Sequence, residues 1–365
     1  MNAAHLDRIG RAAQETAARD LDALVVSPSP DLAYLTGYDP MPLERPTLLV
    51  LRPDRFPAML VPELERAPAA ASPVGDHLEL VAWRDGSDPY EAAAGLLTGA
   101  TRIAVVDRLW ASHLLGLERA LPDAAFSPAS PVMSHLRAVK DEHELDALRR
   151  AGHAADETFR EVLAVPFRGR TERDVAHDLA ELLVRSGHER ADFTIVASGP
   201  NAASPHHEAG SRTIQPQDAV VMDFGGELAG YLSDTTRTVV VVEAPDGFAE
   251  AYAVVQEAQA AAVDAVRPGR EAQEIDRTAR RIIDDAGYGE RFIHRTGHGI
   301  GLELHEPPYM VEGDRTVLGS GMTFSVEPGV YLEGRFGIRI EDIVAVTADG
   351  VERLNVSTRE LQTVT

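Results

Sequence analysis

Four carboxylates and one histidine, each close to a strand-like run, dominate the chemistry available to the second half of this 365-residue chain. Asp223 ends an apolar run within VVMDFGGELAGYLSDTTRT, and Asp234 follows after a Gly-rich turn. Such a turn folds the chain into a hairpin and brings the two aspartates together. Two buried like charges repel unless something positive lies between them, and a divalent ion is the natural compensator. The ordinary alternative is a pair of strand-end aspartates capping turns. In HRTGHGIGLELHEPPY, His298 stands between Gly297 and Gly299, which let backbone approach closely, with His294 and His305 nearby. Neutral imidazole is a common ligand of transition metals, although exposed histidines on a glycine-rich turn give the same pattern. Glu327 ends the alternating run MTFSV before the Pro328-Gly329 turn, and Glu341 lies inside the apolar GIRIEDIVAV next to Arg339 and Asp342. An acidic residue there is seldom buried without a partner; the alternative is an edge strand with one solvated face. As a set, the five suit two adjacent divalent ions in an oxygen-rich, mixed-nitrogen shell. Two ions about 3.5–4 Å apart lower the pKa of a shared water and polarise a carbonyl, which points to amide hydrolysis.

These residues need a scaffold. Residues 5 to 22 carry apolar positions at helical spacing. Strand-like runs follow at 23–27, 47–51, 58–61, 78–83 and 102–107, with helical stretches at 89–97 and 112–120. Strand alternating with helix predicts an α/β domain over residues 1–135. Ser127 to Pro131 is turn-rich and marks the boundary of a second domain, 136–365. There, an amphipathic helix from Asp141 and another opening at Thr171, Glu172 and Asp174 precede short strands at 193–197, 219–224 and 237–242. Helices at 247–266 and 272–286 then precede strands at 322–326 and 338–346. A helix pair followed by strands thus occurs twice, which predicts a pseudo-symmetric α+β domain with a cleft between its halves.

Bulk composition narrows the function. A net charge of −23 excludes binding to nucleic acid through a basic face, which works by neutralising phosphates. With no cysteine, disulfides, thiolate nucleophiles and cysteine zinc sites are excluded, so any metal must be held by Asp, Glu and His. The first 25 residues are charged throughout and do not read as a signal peptide, and no apolar run is long enough to span a membrane. A cytoplasmic protein without membrane partners is expected. Lys140 is the one lysine, arginine carrying the rest of the positive charge, which reads as a composition bias of the source.

The motifs DFGGELAGYLSDTTRT, HRTGHGIGLELHE, SVEPGVY and RIED, in that order, resemble the metallopeptidase family of prolidase, aminopeptidase P and methionine aminopeptidase. SGPNAASPHH extends the likeness upstream, and LVVSPSPDLAYLTGY and SHLRAVKDEHELDALRRAG carry it into the N-terminal half. The resemblance implies a creatinase/prolidase-like N-terminal α/β domain ahead of a catalytic domain of the pita-bread fold. It implies a homodimer that hydrolyses small peptides at the bond preceding proline, by a hydroxide bridging two divalent ions (Mn, Co, Zn or Fe, with Mn favoured).

Residue by residue, the resemblance implies that Asp223 chelates one ion, that Asp234 and Glu341 bridge both, and that His298 and Glu327 complete the other shell. Glu327 is also the implied proton shuttle. His206 contacts the scissile amide or its leaving nitrogen, and His305 steadies the substrate carbonyl and the tetrahedral intermediate. His207 makes the SPHH assignment ambiguous by one position, and the preceding Pro205 favours His206. All five ligand positions are filled, unlike those of metal-free relatives such as creatinase. Arg339 reads as a residue orienting Glu341 or an acidic neighbour. Tyr231 either donates a hydrogen bond near the site or packs under the hairpin. The arginine with which prolidases hold a dipeptide's terminal carboxylate has no secure counterpart; Arg315 is a weak candidate beside its reading as an exposed loop arginine. Alternatives are aminopeptidase P activity on longer peptides, hydrolysis of acylated amino acids, cleavage of small sulfonium acids by a lyase, and a non-catalytic binding module.

Overall fold

Leu24, Val25, Leu49 and Leu60 have no exposed surface, as strands covered on both faces require. The structure, a computed structural model, describes residues 2–365 and divides into two units, Met1–Arg137 and Ala138–Thr365. In the first unit, six strands form one mixed sheet in the order Glu79–Trp83, Ala58–Pro62, Leu48–Leu51, Ala23–Val26, Arg102–Val105 and Ala125–Pro128. The helices Pro89–Leu96 and Ala111–Ala120 bury Ala93 and Leu117 against it. Further helices go beyond the periodicity reading, among them the five-residue Arg66–Ala70. Pro30–Thr36 is short and carries Pro at its start, and Ser130–Ala138 forms where the sequence looks turn-rich. Pro131 falls in the first turn, where a missing N–H breaks no helical bond.

In the second unit, Glu142–Val162 and Glu172–Arg185 each open with a capping box, Asp141 with Glu144 and Thr171 with Asp174. These helices bury Ala155, Phe159, Val175 and Leu179 against a sheet ordered Gln362–Val364, Thr235–Val241, Ala219–Leu228 and Arg190–Ser198. Tyr231–Leu232 folds back onto the 219–228 strand. The second pair, Phe248–Asp264 and Ala272–Asp285, buries Val255, Ala262, Ile275 and Ile283 against Phe324, Val326 and Val344. Its sheet runs Glu306–Met310, Gly297–Gly299, Thr323–Val326, Asp342–Val346 and Val351–Arg353.

One strand expectation is corrected. The run 338–346 is two strands, Phe336–Arg339 and Asp342–Val346. The first pairs with Gly329–Leu332 in a separate ribbon, and the second pairs with Thr323–Val326. Glu341 therefore lies at the break, where the chain passes from one sheet to another. Apolar residues on both sides hide this break in the sequence.

Candidate active site

The Asp223 hairpin is shaped by its turn. Leu228 pairs with Tyr231 across the two-residue loop Ala229-Gly230, and both loop residues have positive φ, 54° and 82°. That is the backbone of a type I′ turn, whose twist matches the strands it joins. The chain returns through Asp234 into the Thr235–Val241 strand, where Thr236 lies opposite Asp223. His298 is placed by close backbone contact. A Cβ on Gly297 would strike the Ser325 carbonyl oxygen, and one on Gly299 would strike the Glu306 carbonyl oxygen.

These elements bring the candidate residues together. Asp234, His298 and Glu341, all buried, each offer a ligand atom within 4.8 Å of the others. His298 Nε2 lies 3.6 Å from Asp234 Oδ2 and 3.3 Å from Glu327 Oε1. Its Nδ1 lies 3.1 Å from the Gly299 carbonyl oxygen, an acceptor that favours the tautomer with the proton on Nδ1 and the Nε2 lone pair towards the carboxylates. Ser325 Oγ accepts the His298 backbone N–H at 3.0 Å and donates to Glu327 Oε1 at 3.1 Å. Asp223 pairs with the Arg339 guanidinium through one oxygen. Arg339 also donates to Thr236 Oγ1 at 3.0 Å and to the Tyr331 hydroxyl at 2.9 Å.

Crowding sets the electrostatics. Burial, then the charges of Glu341, Asp223 and Glu327, push the Asp234 carboxyl well above its usual range. Burial, then Glu327 and Asp223, do the same to Glu341. Glu327 is raised to about 7, chiefly by burial. Burial holds His298 and His294 down at about 3, so both imidazoles are neutral. Among the described residues, Asp223 Oδ1 and Glu341 Oε1 are buried without any hydrogen-bond partner. An unsatisfied buried carboxylate oxygen is costly, and Arg339 is one cation among four acids. The donor set of hard oxygens with one neutral imidazole therefore fits divalent ions.

A cavity of about 510 Å³ opens onto this cluster. Phe193, Ile195, Pro205 and Leu304 give it apolar walls, and His206, His294, Arg295 and His305 add polar groups. His206 lines the cavity, whereas His207 points to Glu172 at 2.8 Å. The His305 ring centroid lies 4.1 Å from that of His298. Tyr231 is not among the lining residues; its hydroxyl donates to Glu144 at 2.8 Å, and its ring packs with Ala147, Leu148 and Ile300. Arg315 is exposed and lies outside the lining. The sequence reading gave no role in the site to Thr236, Tyr331 or Arg295, and read Glu172 as part of a helix cap. Thr236 lies inside SDTTRT and Tyr331 inside SVEPGVY, so position within the motifs is the one signal that pointed to them.

Comparison with known proteins matches residues 146–348 to metallopeptidase family M24 and residues 8–139 to the creatinase/prolidase N-terminal domain. A probable dipeptidase PepE of Mycobacterium tuberculosis is 45% identical over 359 residues, covering 97% of this chain and 95% of its own. An Xaa-Pro dipeptidase of Lactobacillus delbrueckii subsp. lactis is 38% identical over 366 residues, covering 98% of each. The crystal structure of dipeptidase PepE from Mycobacterium ulcerans superposes with a TM-score of 0.96 at 44% identity, over 100% of this chain and 98% of that one. The catalytic unit has the pita-bread fold. The chain belongs to metallopeptidase family M24, a family of hydrolases that use divalent metal ions, and carries the creatinase/prolidase N-terminal domain ahead of its catalytic domain.

Proposed function

We propose that this enzyme is an Xaa-Pro dipeptidase whose metal ligands are Asp223, Asp234, His298, Glu327 and Glu341, within a catalytic domain spanning 136–365 that follows an N-terminal domain of 1–135. The observation that carries the metal assignment is the buried grouping of Asp234, His298 and Glu341 beside two carboxylate oxygens that have no partner among the described residues. Divalent ions held by these residues would supply an activated water as nucleophile and would polarise the substrate carbonyl. Manganese is favoured, since four carboxylates and one imidazole make a hard shell.

The protein's own groups do the rest. Glu327, which lines the cavity 3.3 Å from His298, takes the attacking water's proton and returns it to the leaving imide nitrogen. Proline's amide has no N–H, so recognition falls to shape and to groups around the bond. His206 faces the leaving side, and His305 donates to the developing oxyanion. Arg339 keeps Asp223 aligned and, through Thr236, Glu341. Phe193 and Ile195 offer an apolar wall for the proline ring.

Arg295 favours a dipeptide. Its guanidinium lines the cavity, half-buried, 4.4 Å above the Tyr309 ring. It makes no hydrogen bond or ion pair with any described residue. A dipeptide's terminal carboxylate is the partner such a cation lacks. Homodimer formation rests on the resemblance to the family; among the described residues, no helix is long and apolar enough to cross a membrane.

The experiment is a substrate panel on chelator-stripped and metal-reloaded protein. Xaa-Pro dipeptides should be cleaved only after reloading, best with Mn, and Xaa-Pro-Xaa peptides poorly. Preferred cleavage of the longer peptides would instead make the enzyme an aminopeptidase P.

A further inference from the structure

Arginine serves at every basic position except one, and the exception is buried. Lys140 Nζ lies 2.7 Å from Glu306 Oε1, with the two side chains 1% and 4% exposed. The Lys140 backbone N–H donates to the Gly321 carbonyl at 2.9 Å, so the residue is fixed at both ends. Taking both charges out of water costs about as much as their attraction returns, so stability alone rarely explains such a pair.

Its location suggests a different use. Glu306 directly follows His305, and it lies opposite Gly299 in the strand that carries His298. Between these points the chain loops out through residues 300–305. Gly301 lies on the inside of that loop, where an added Cβ would come within 2.8 Å of Glu306 Oε1 and 3.1 Å of Lys140 Cε. The pair thus fills the space under the loop. That space suits a compact ammonium on a thin stem better than a planar guanidinium, which accounts for lysine here in an arginine-using chain. The His305 imidazole has no hydrogen bond with any described residue. Its place beside His298 is therefore set by backbone, and the next backbone position belongs to a side chain held by Lys140.

We infer that Lys140 is a positioning residue for the reaction: through its buried ion pair with Glu306 it anchors the loop that presents His305 to the cavity. The inference rests on the reading above that His305 meets the substrate.

The test uses full-length, metal-loaded enzyme and the variants Lys140→Met, Glu306→Gln, the double variant and His305→Ala, with an Xaa-Pro dipeptide as substrate. The double variant leaves no lone buried charge, so it should fold with its full metal content. Its kcat should fall roughly ten- to a hundredfold, as for displaced catalytic groups generally, with KM changed much less. Added to His305→Ala, the double substitution should cost no more than about a further twofold, since both act through one group. A double variant with wild-type kcat, beside an impaired His305→Ala, would overturn the inference alone. So would additive losses, or unfolding of all three pair variants, which would make the pair a requirement of the scaffold. Wild-type turnover by His305→Ala would overturn the role of His305 and this inference together.

Discussion

Thr236 lies opposite Asp223 across the hairpin strands, and its hydroxyl donates to Glu341 Oε2 over 2.6 Å. The Thr236 hydroxyl oxygen in turn accepts from Arg339 Nε at 3.0 Å, and Arg339 pairs with Asp223. One hydroxyl therefore links carboxylates delivered by two different sheets. Thr236 has no exposed surface, so water is not at hand to replace it. Thr236→Val keeps the shape and removes the donor and acceptor. Metal affinity should fall about 10- to 100-fold, in line with other residues that orient ligands, while the fold persists. Titration of stripped protein with Mn, read by activity recovery and by calorimetry, checks this; unchanged affinity would remove Thr236 from the site.

Glu341→Gln should act with opposite sign in the two metal states. Without ions, four acids share one small volume with Arg339, and Glu341 keeps one buried oxygen without a partner among the described residues. Neutralising one acid relieves repulsion in the stripped protein, so its melting temperature should hold or rise. With ions, the same change removes a ligand, and the stabilisation by bound metal, RT ln(1 + [L]/Kd), should shrink. Melting curves with chelator and with Mn give both signs from one pair of proteins. A variant destabilised equally in both states would contradict the assignment of Glu341 as a ligand.

Legibility in the sequence followed chemistry more than geometry. Asp223, Asp234, His298, Glu327 and Glu341 stand out because an ionisable side chain beside glycine and apolar residues needs a reason. Thr236, Tyr331 and Glu172 look like ordinary polar positions, and only tertiary register gives them partners. Tyr331 shows this well. Its hydroxyl meets Arg339 and the His294 ring nitrogen, both at 2.9 Å, through a ribbon whose pairing no local pattern reveals. The alternation of helix and strand in the first unit is readable because each element has its own period. The break at Glu341 is not, because apolar residues run on through a change of sheet. The strand Gln362–Val364 pairs in parallel with Thr235–Val241, a partner far away in sequence.

Glu172 should make stability pH-dependent in acid. It has no exposed surface and opens the helix Glu172–Arg185. Burial pushes its pKa up, but hydrogen bonds from Ser198, His207 and Asn201 outweigh that and leave the carboxyl below its ordinary value. A depressed folded value means that this stabilisation is present above the unfolded carboxylate pKa and is lost as pH falls through the folded one. Wild type should exceed Glu172→Gln by roughly 1–3 kcal/mol at pH 7, as for a buried charged acceptor, and the gap should close below about pH 4. Urea unfolding across pH 3–7 measures the gap; a constant difference would show that the charge is not what stabilises. Because Glu172 holds His207 at 2.8 Å, the variant should also loosen the segment presenting His206 and lower kcat.

Arg295 is tested by KM. Its guanidinium has the Tyr309 ring 4.4 Å away and no hydrogen bond or ion pair with any described residue, so Arg295→Met removes charge without leaving a protein partner stranded. Stability should change by less than about 0.5 kcal/mol, as for substitutions away from buried polar networks. A hydrogen bond to a charged group is worth about 1.5–3 kcal/mol, so KM for an Xaa-Pro dipeptide should rise roughly 10- to 100-fold. The same dipeptide with an amidated C-terminus lacks the carboxylate. Wild type should bind it weakly, and Arg295→Met should bind it no worse. Equal losses on acid and amide would mean that Arg295 contacts another part of the substrate. Loss of kcat at constant KM would place it instead with His305, acting on the reacting carbonyl.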